Sequence, residues 1–248
     1  MTDSFRALCN DHYINQKIQT KLELPRSRET VLEFFERTRR QFPSMGSFRR
    51  FRDELALESP QSDQPHRWLA IRNNTLRSGT VNAASSADAY SLHETVIDIA
   101  PAFLSISPLD VDFIELLYGF DLTSGGNHDA IVLDALIPGS PLAALLEIPG
   151  AVATDYQPII GMTMGSRADL EIYFEVKTRA AGNNHREGAG DPISVYLTLR
   201  RMGPFTELKD LRIAFQRLVK HGEELIERRV VPGLLVPIRQ AISSGNLE

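Results

Sequence analysis

The chain has 248 residues, 42% hydrophobic and 24% charged, with a formal net charge of −5. These proportions fit one large globular domain or two small lobes, and the acidic balance argues against general nucleic-acid binding. Cys9 is the single cysteine, so no intrachain disulfide can form, and with no apolar run near the roughly 18 residues of a membrane span and no leader-like N-terminus, a reducing cytoplasm is the expected compartment and no membrane is expected as a partner.

Residues 1–12 are polar and irregular and read as an arm or a short helix. Over 16–24, Ile18, Leu22 and Leu24 alternate imperfectly with Gln19, Lys21 and Glu23, which predicts a first strand that Pro25 stops. Ser27 is placed to cap the next helix, and Glu29 sits in its first turn, where the dipole favours an anion. Val31, Phe34, Phe35, Thr38 and Phe42 form the apolar side of that helix, which Pro43 ends. A short helix with Phe48, Phe51 and Leu55 on one side is expected next, then a loop over 58–65. Trp68, Ala70 and Ile71 open a second strand. A weaker third follows over 76–81, where Arg77, Gly79 and Thr80 suggest an edge or a bulge. Ser85 or Ser86 caps a helix striped by Leu92, Val96, Ile99 and Phe103, and the apolar run 110–120 is a fourth strand.

The order strand, helix, strand, strand, helix, strand is the split βαβ, or ferredoxin-like, arrangement. The expected fold is therefore α+β, with a ferredoxin-like βαββαβ first lobe over 1–122. The second lobe, 123–248, opens with two short helices over 129–136 and 141–145. Three strands with strict period-two alternation follow over 160–164, 170–177 and 193–200, because successive side chains of a strand leave opposite faces. Leu208, Leu211, Phe215, Leu218, Leu225 and Ile226 then keep helical spacing, with Thr206 as cap. A sheet with one apolar face and a helix with one apolar stripe need each other, so this long C-terminal helix should back the antiparallel strands. Pro232 is placed in the first turn of a last helix reaching about 242.

The charge map is the least ordinary feature. Between Arg77 and Arg167 lie eleven acids and no lysine or arginine. Conversely, Arg37, Arg39, Arg40, Arg49, Arg50 and Arg52 occur with no acid among them, interleaved with Phe42, Phe48 and Phe51. Guanidinium forks suit phosphate, and rings can stack bases, yet charge runs are commonly solvated faces. A third reading docks the arginine face on the acidic segment, within a chain or between two chains. These six arginines are the interface candidates.

Ligand candidates come from a Gly-rich turn and a loop. Asp121, Asn127, His128 and Asp129 flank Gly125-Gly126, and His185 and Arg186 lie in the Gly/Asn-rich stretch 180–191. A turn at a helix N-terminus offers free amides to an anion. Asp110 and Asp112 share a strand face, but the acids lack the alternation of a calcium loop, so no metal and no cofactor is expected. His93 beside Glu94 on the predicted second helix has the composition of an acid–base pair, but the commoner case, surface, is the reading taken. Nucleophile elbow, P-loop and dinucleotide fingerprint are all missing, so no catalytic residue is assigned. The sequence reading is a cytoplasmic module that self-associates, as a homodimer, or binds a protein partner, without catalysis. The alternative is a small-ligand binder or enzyme with a site between lobes near 121–129 and 180–191.

Overall fold

Two long strands, β1 (Asp11–Thr20) and β6 (Val111–Leu122), pair antiparallel at the centre of the molecule, from Asp11 opposite Asp121 to Thr20 opposite Val111. The computed structural model describes residues 4–165, 167–178 and 192–245. On one side of this pair the chain runs through α1 (Arg28–Gln41), β2 (Ser47–Arg50), β3 (Glu54–Glu58), β4 (His66–Arg72), β5 (Thr75–Val81) and α2 (Ser86–Phe103). On the other it runs through α3 (His128–Leu136), β7 (Ile159–Met164), β8 (Leu170–Lys177), β9 (Ile193–Met202), α4 (Leu208–Leu225) and α5 (Val236–Gly245). Among the described residues nine strands form one sheet in the order β2-β3-β4-β5-β1-β6-β9-β8-β7, with every neighbouring pair antiparallel.

The halves repeat one topology. Each starts with a central strand, continues through a helix, lays down an antiparallel meander that runs inward from the sheet edge, and ends in a helix. Among the described residues the first meander has four strands and the second has three, so β7 stands where β3 stands and no strand takes the place matching β2.

The four strands expected over 1–122 are present as β1, β4, β5 and β6, adjacent in the order β4-β5-β1-β6 and antiparallel throughout, and the chain adds two further strands outside β4. Ser47–Arg50 and Glu54–Glu58 are two strands of a hairpin, where a short helix was expected. Phe48 and Leu55 look helically spaced only because the chain turns back between them. β1 also starts inside the expected arm. Cys9 lies just before it, partly buried, and its thiol donates to the Phe5 carbonyl at 3.3 Å. Burial first, and then Asp11 and Asp121, push that thiol up to about 11, so it stays protonated.

Two caps form much as the side-chain chemistry implies. Ser27 accepts from the Thr30 amide and Ser85 from the Asp88 amide. The long helix is capped one residue later than expected. Glu207 is the cap, and Asp210 accepts from the Thr206 and Glu207 amides in a reciprocal box. At the far end, α4 does not stop before Pro232. It widens into a π-helical stretch, Ile226–Leu235, and runs on into α5. The wider turn accommodates a proline that has no N–H to give and would crowd an α-helical carbonyl.

Helices α2 and α4 cover one face of the sheet across its centre. Phe215 of α4 is 1% exposed and packs edge-on to Tyr90 at 6.1 Å. Leu197 of β9 is fully buried in the same core. His93 is fully buried too, which corrects its expected surface position. Its Nε2 faces the Ile14 carbonyl at 3.2 Å, so Nε2 carries the proton and Nδ1 accepts from Ser78 Oγ at 2.7 Å. Burial holds its pKa down at about 3.

Among the described residues no helix lies on the opposite face, which carries ion pairs and rings of its own. Arg200 bridges Glu115 at 2.6 Å and Glu171 at 3.1 Å across three strands, with its guanidinium over the Phe113 ring. Arg77 reaches Glu54 at 2.6 Å and lies over Trp68. Two rings lie flat on the neighbouring strand where that strand has glycine. A Cβ on Gly79 would stand 2.1 Å from the Trp68 ring, and one on Gly119 would stand 2.1 Å from the Tyr13 ring.

Phe215→Ala should cost about 3–5 kcal/mol in reversible urea denaturation, the usual range for a buried phenylalanine. A loss below about 1 kcal/mol would place the ring outside the core. His93 gives a second expectation. Its folded pKa lies below the unfolded value of 6.5, so its neutral form carries no penalty above pH 6.5. As pH falls from 6.5 towards 3, the unfolded chain takes up a proton that the native chain refuses, and stability drops. Between pH 7 and pH 5 this one group should remove about 2 kcal/mol, and His93→Gln should flatten that slope relative to wild type. Equal slopes in the two proteins would show that His93 is not held neutral.

Candidate functional site

The surface that the fold leaves incomplete is the β7 edge. Its six residues, Ile-Ile-Gly-Met-Thr-Met, carry no charge, and all six are exposed. Ile160, Met162 and Met164 lie on the helix side of the sheet, opposite Phe174, Ile172 and Leu170 of β8. The β8 partners Ile172 and Leu170 are buried, whereas Ile160 is 59% and Met162 45% exposed. Among the described residues no strand pairs with the outer side of β7. The other edge, β2, is only four residues long and ends in Arg49-Arg50, the usual way of blunting an edge. The chain leading to β7 is also apolar and exposed: Leu142, Leu145, Ile148 and Val152 all face outward.

The side chains around the glycine turn hydrogen-bond within the chain. Asn127 caps α3 by accepting from the Ala130 amide and donates to the Ala153 carbonyl. Asp129 is 6% exposed and takes the Tyr156 amide at 2.9 Å and the Thr178 hydroxyl on the same oxygen. His128 is buried and its Nε2 donates to the Ser124 carbonyl at 3.1 Å. Asp121 sits on β6, where it accepts from Ser194 at 2.7 Å and from the Tyr13 hydroxyl. Asp110 receives the Leu22 amide at 2.9 Å. These side chains brace the segment between α3 and β7 and the central strands. Among the described residues no three His, Cys, Asp or Glu side chains stand together as a metal site. His185 and Arg186 lie outside the described residues.

The arginine candidates divide. Arg39 and Arg40 pair with Glu36 on their own helix, and Arg49 pairs with Glu58 at 3.2 Å. Arg37 borders a shallow groove with Glu33 and Glu36, while Arg50 and Arg52 face a separate cleft beside the start of α1. Acids of the eleven-acid interval find cations of this chain outside that arginine run, among them Asp88 with Arg67, Asp98 with Arg212 and Glu115 with Arg200. The alternation at 160–164 gives the pleat and not the position in the sheet. The missing signal was present: 159–164 lacks any charged residue on either face.

If Asp129 is a brace, Asp129→Ala should lower stability by about 2–4 kcal/mol, the scale of losing hydrogen bonds to a buried carboxylate. Millimolar Mg²⁺ or Ca²⁺ should leave the melting temperature of the wild type unchanged, because a ligand stabilises only the state it binds. A clear rise with one cation, abolished by Asp129→Asn, would make the cluster a metal site.

Among the described residues no helix is long and apolar enough to cross a membrane. No protein-family model matches the chain, and no curated protein matches it.

Proposed function

We propose that the chain is a non-catalytic protein-binding module of the cytoplasm whose first partner is a second copy of itself, joined edge to edge through β7. The observation that carries this reading is the vacant strand position beside β7. The first half fills the matching position with β2, and the second half has no strand for it among the described residues. An unpaired strand offers a row of backbone donors and acceptors to another strand. Self-pairing suits the sequence. A twofold axis at Met162 sets Met162 against Met162 and Ile160 of one copy against Met164 of the other, all on the helix side. That closes the assembly, covers the exposed apolar row and continues the antiparallel sheet. Exposed Leu142, Leu145 and Ile148 in the chain leading to β7 supply further apolar area.

Sedimentation at low and high salt tests this. The wild type should be a homodimer at micromolar concentration and indifferent to salt, since the joint is apolar and backbone-bonded. Met162→Lys places two cations at the axis and should weaken the dimer by at least about tenfold, about 1.4 kcal/mol. Because Met162 is exposed in the single chain, the substitution should not unfold it. A monomer under all conditions would end the self-association reading. A dimer that survives Met162→Lys, but is lost at high salt and on reversing Arg49, Arg50 and Arg52 to Glu, would move the interface to the arginine face.

A further inference from the structure

The cleft between the start of α1 and the β2–β3 hairpin gathers positive charge that the fold does not answer. Its volume is about 440 Å³, within the range of small-molecule sites. Arg26 and Arg28 reach it from the α1 side and Arg50 and Arg52 from the hairpin, while Val31 and Phe48 give it an apolar wall. None of the four guanidiniums has an ion-pair partner among the described residues. This is not the rule elsewhere on the molecule. Arg49, next to Arg50 but on the other face of the hairpin, takes Glu58; Arg67 and Arg77 take Asp88 and Glu54. Among the described residues no carboxylate lines the cleft.

Four like charges facing one space repel one another, and a bound anion offsets that repulsion. The first turn of the fourteen-residue α1 adds free amides and the positive end of its dipole in the same place. The Phe48 ring is half exposed and is steadied from behind by Phe35 at 5.8 Å, so one ring face is left open beside the arginines. Polymers fit less well. Glu29, Glu33 and Glu36 follow along α1, so the positive surface ends with the cleft, and the chain as a whole is acidic.

We infer that this cleft is a binding site for a phosphorylated small molecule, a phosphate or diphosphate ester with a planar or apolar body. The arginine forks hold the phosphate oxygens in paired hydrogen bonds, a geometry that lysine does not offer. Phe48 and Val31 receive the body. The diphosphate is the better match because its charge approaches that of the four cations. This site is independent of the β7 edge and of the dimer.

Calorimetric titration at low salt, with ADP and with inorganic pyrophosphate as probes, tests the inference on the full chain. Both probes should bind, ADP about fivefold or more tighter, because only ADP has a body for Phe48. The double substitution Arg50→Gln and Arg52→Gln should weaken both by at least about tenfold, the scale of losing charge-assisted hydrogen bonds. Phe48→Ala should weaken ADP and spare pyrophosphate. Arg39→Gln with Arg40→Gln, outside the cleft, should change neither. All these side chains are exposed, and unchanged melting temperatures will show that the variants fold. Absence of heat with either probe at millimolar concentration would overturn the site. So would an equal loss on substituting Arg39 and Arg40, which would mean only a general field, or tight binding of an acidic peptide with neither phosphate probe bound.

Discussion

The structure depends on the antiparallel pairing of β1 with β6. It is the one junction at which the sheet passes from the first half of the chain to the second, with five strands ending at β1 and four starting at β6. Side chains alternate along a strand, so a slip of one residue here would turn either Ile14, Gln16 and Ile18 of β1 or Ile114, Leu116 and Tyr118 of β6 away from the helices. α2 rests on β1 and β5, and α4 on β6 and β9, so both helices take their places from this register. Phe215 meeting Tyr90 and His93 is the same register seen one layer up, where α4 touches α2. Tyr90 and Tyr118, one on a helix and one on a central strand, hold their hydroxyls 3.1 Å apart and close the seam.

Much of this fold was legible. Strict alternation at 170–177 and 193–200, the apolar run at 110–120 and the stripe through Phe215 all correspond to elements that occupy those places. Where the reading failed, the cause was nonlocal. Phe48 and Leu55 have helical spacing in the sequence but belong to two strands of a hairpin, and only pairing with Leu57 and Arg50 makes that plain. His93 looks like any histidine on a polar stretch until Ser78 and the Ile14 carbonyl arrive from two strands to satisfy it. The candidate residues at 127–129 were placed correctly on a helix N-terminus, yet their polar atoms serve Ala153, Tyr156 and Thr178, partners that no spacing rule could name. The repeated topology was invisible for a related reason. Topology requires only that apolar and polar positions alternate at the right places, which many unrelated sequences do.

The charge map has a physical resolution in the fold. An acidic interval with no cation of its own is tolerable because the sheet and helices bring cations to it: Arg67 to Asp88, Arg200 to Glu115, Arg212 to Asp98. Other acids of that interval are held by hydrogen bonds from amides and hydroxyls. Such dispersal leaves the arginines of the α1–β2 region with few local acids to meet. Arg39, Arg40 and Arg49 find glutamates close by, whereas Arg50 and Arg52 turn to an open cleft with Arg26 and Arg28. A positive cleft and an uncharged strand edge thus lie at opposite ends of one sheet.

The rings of Trp68 and Tyr13 rest on Gly79 and Gly119 with no room for another carbon between them. In each pair the glycine contributes only space, and its neighbour fills it. Neither member has a reason to persist without the other. If glycine acquires a side chain, the ring must leave, and if the ring shrinks, the bare backbone it shielded meets water. Inheritance should therefore treat each pair as one unit, so that among descendants of this chain glycine and ring are kept together or lost together, across strands distant in the gene and adjacent only in the folded sheet.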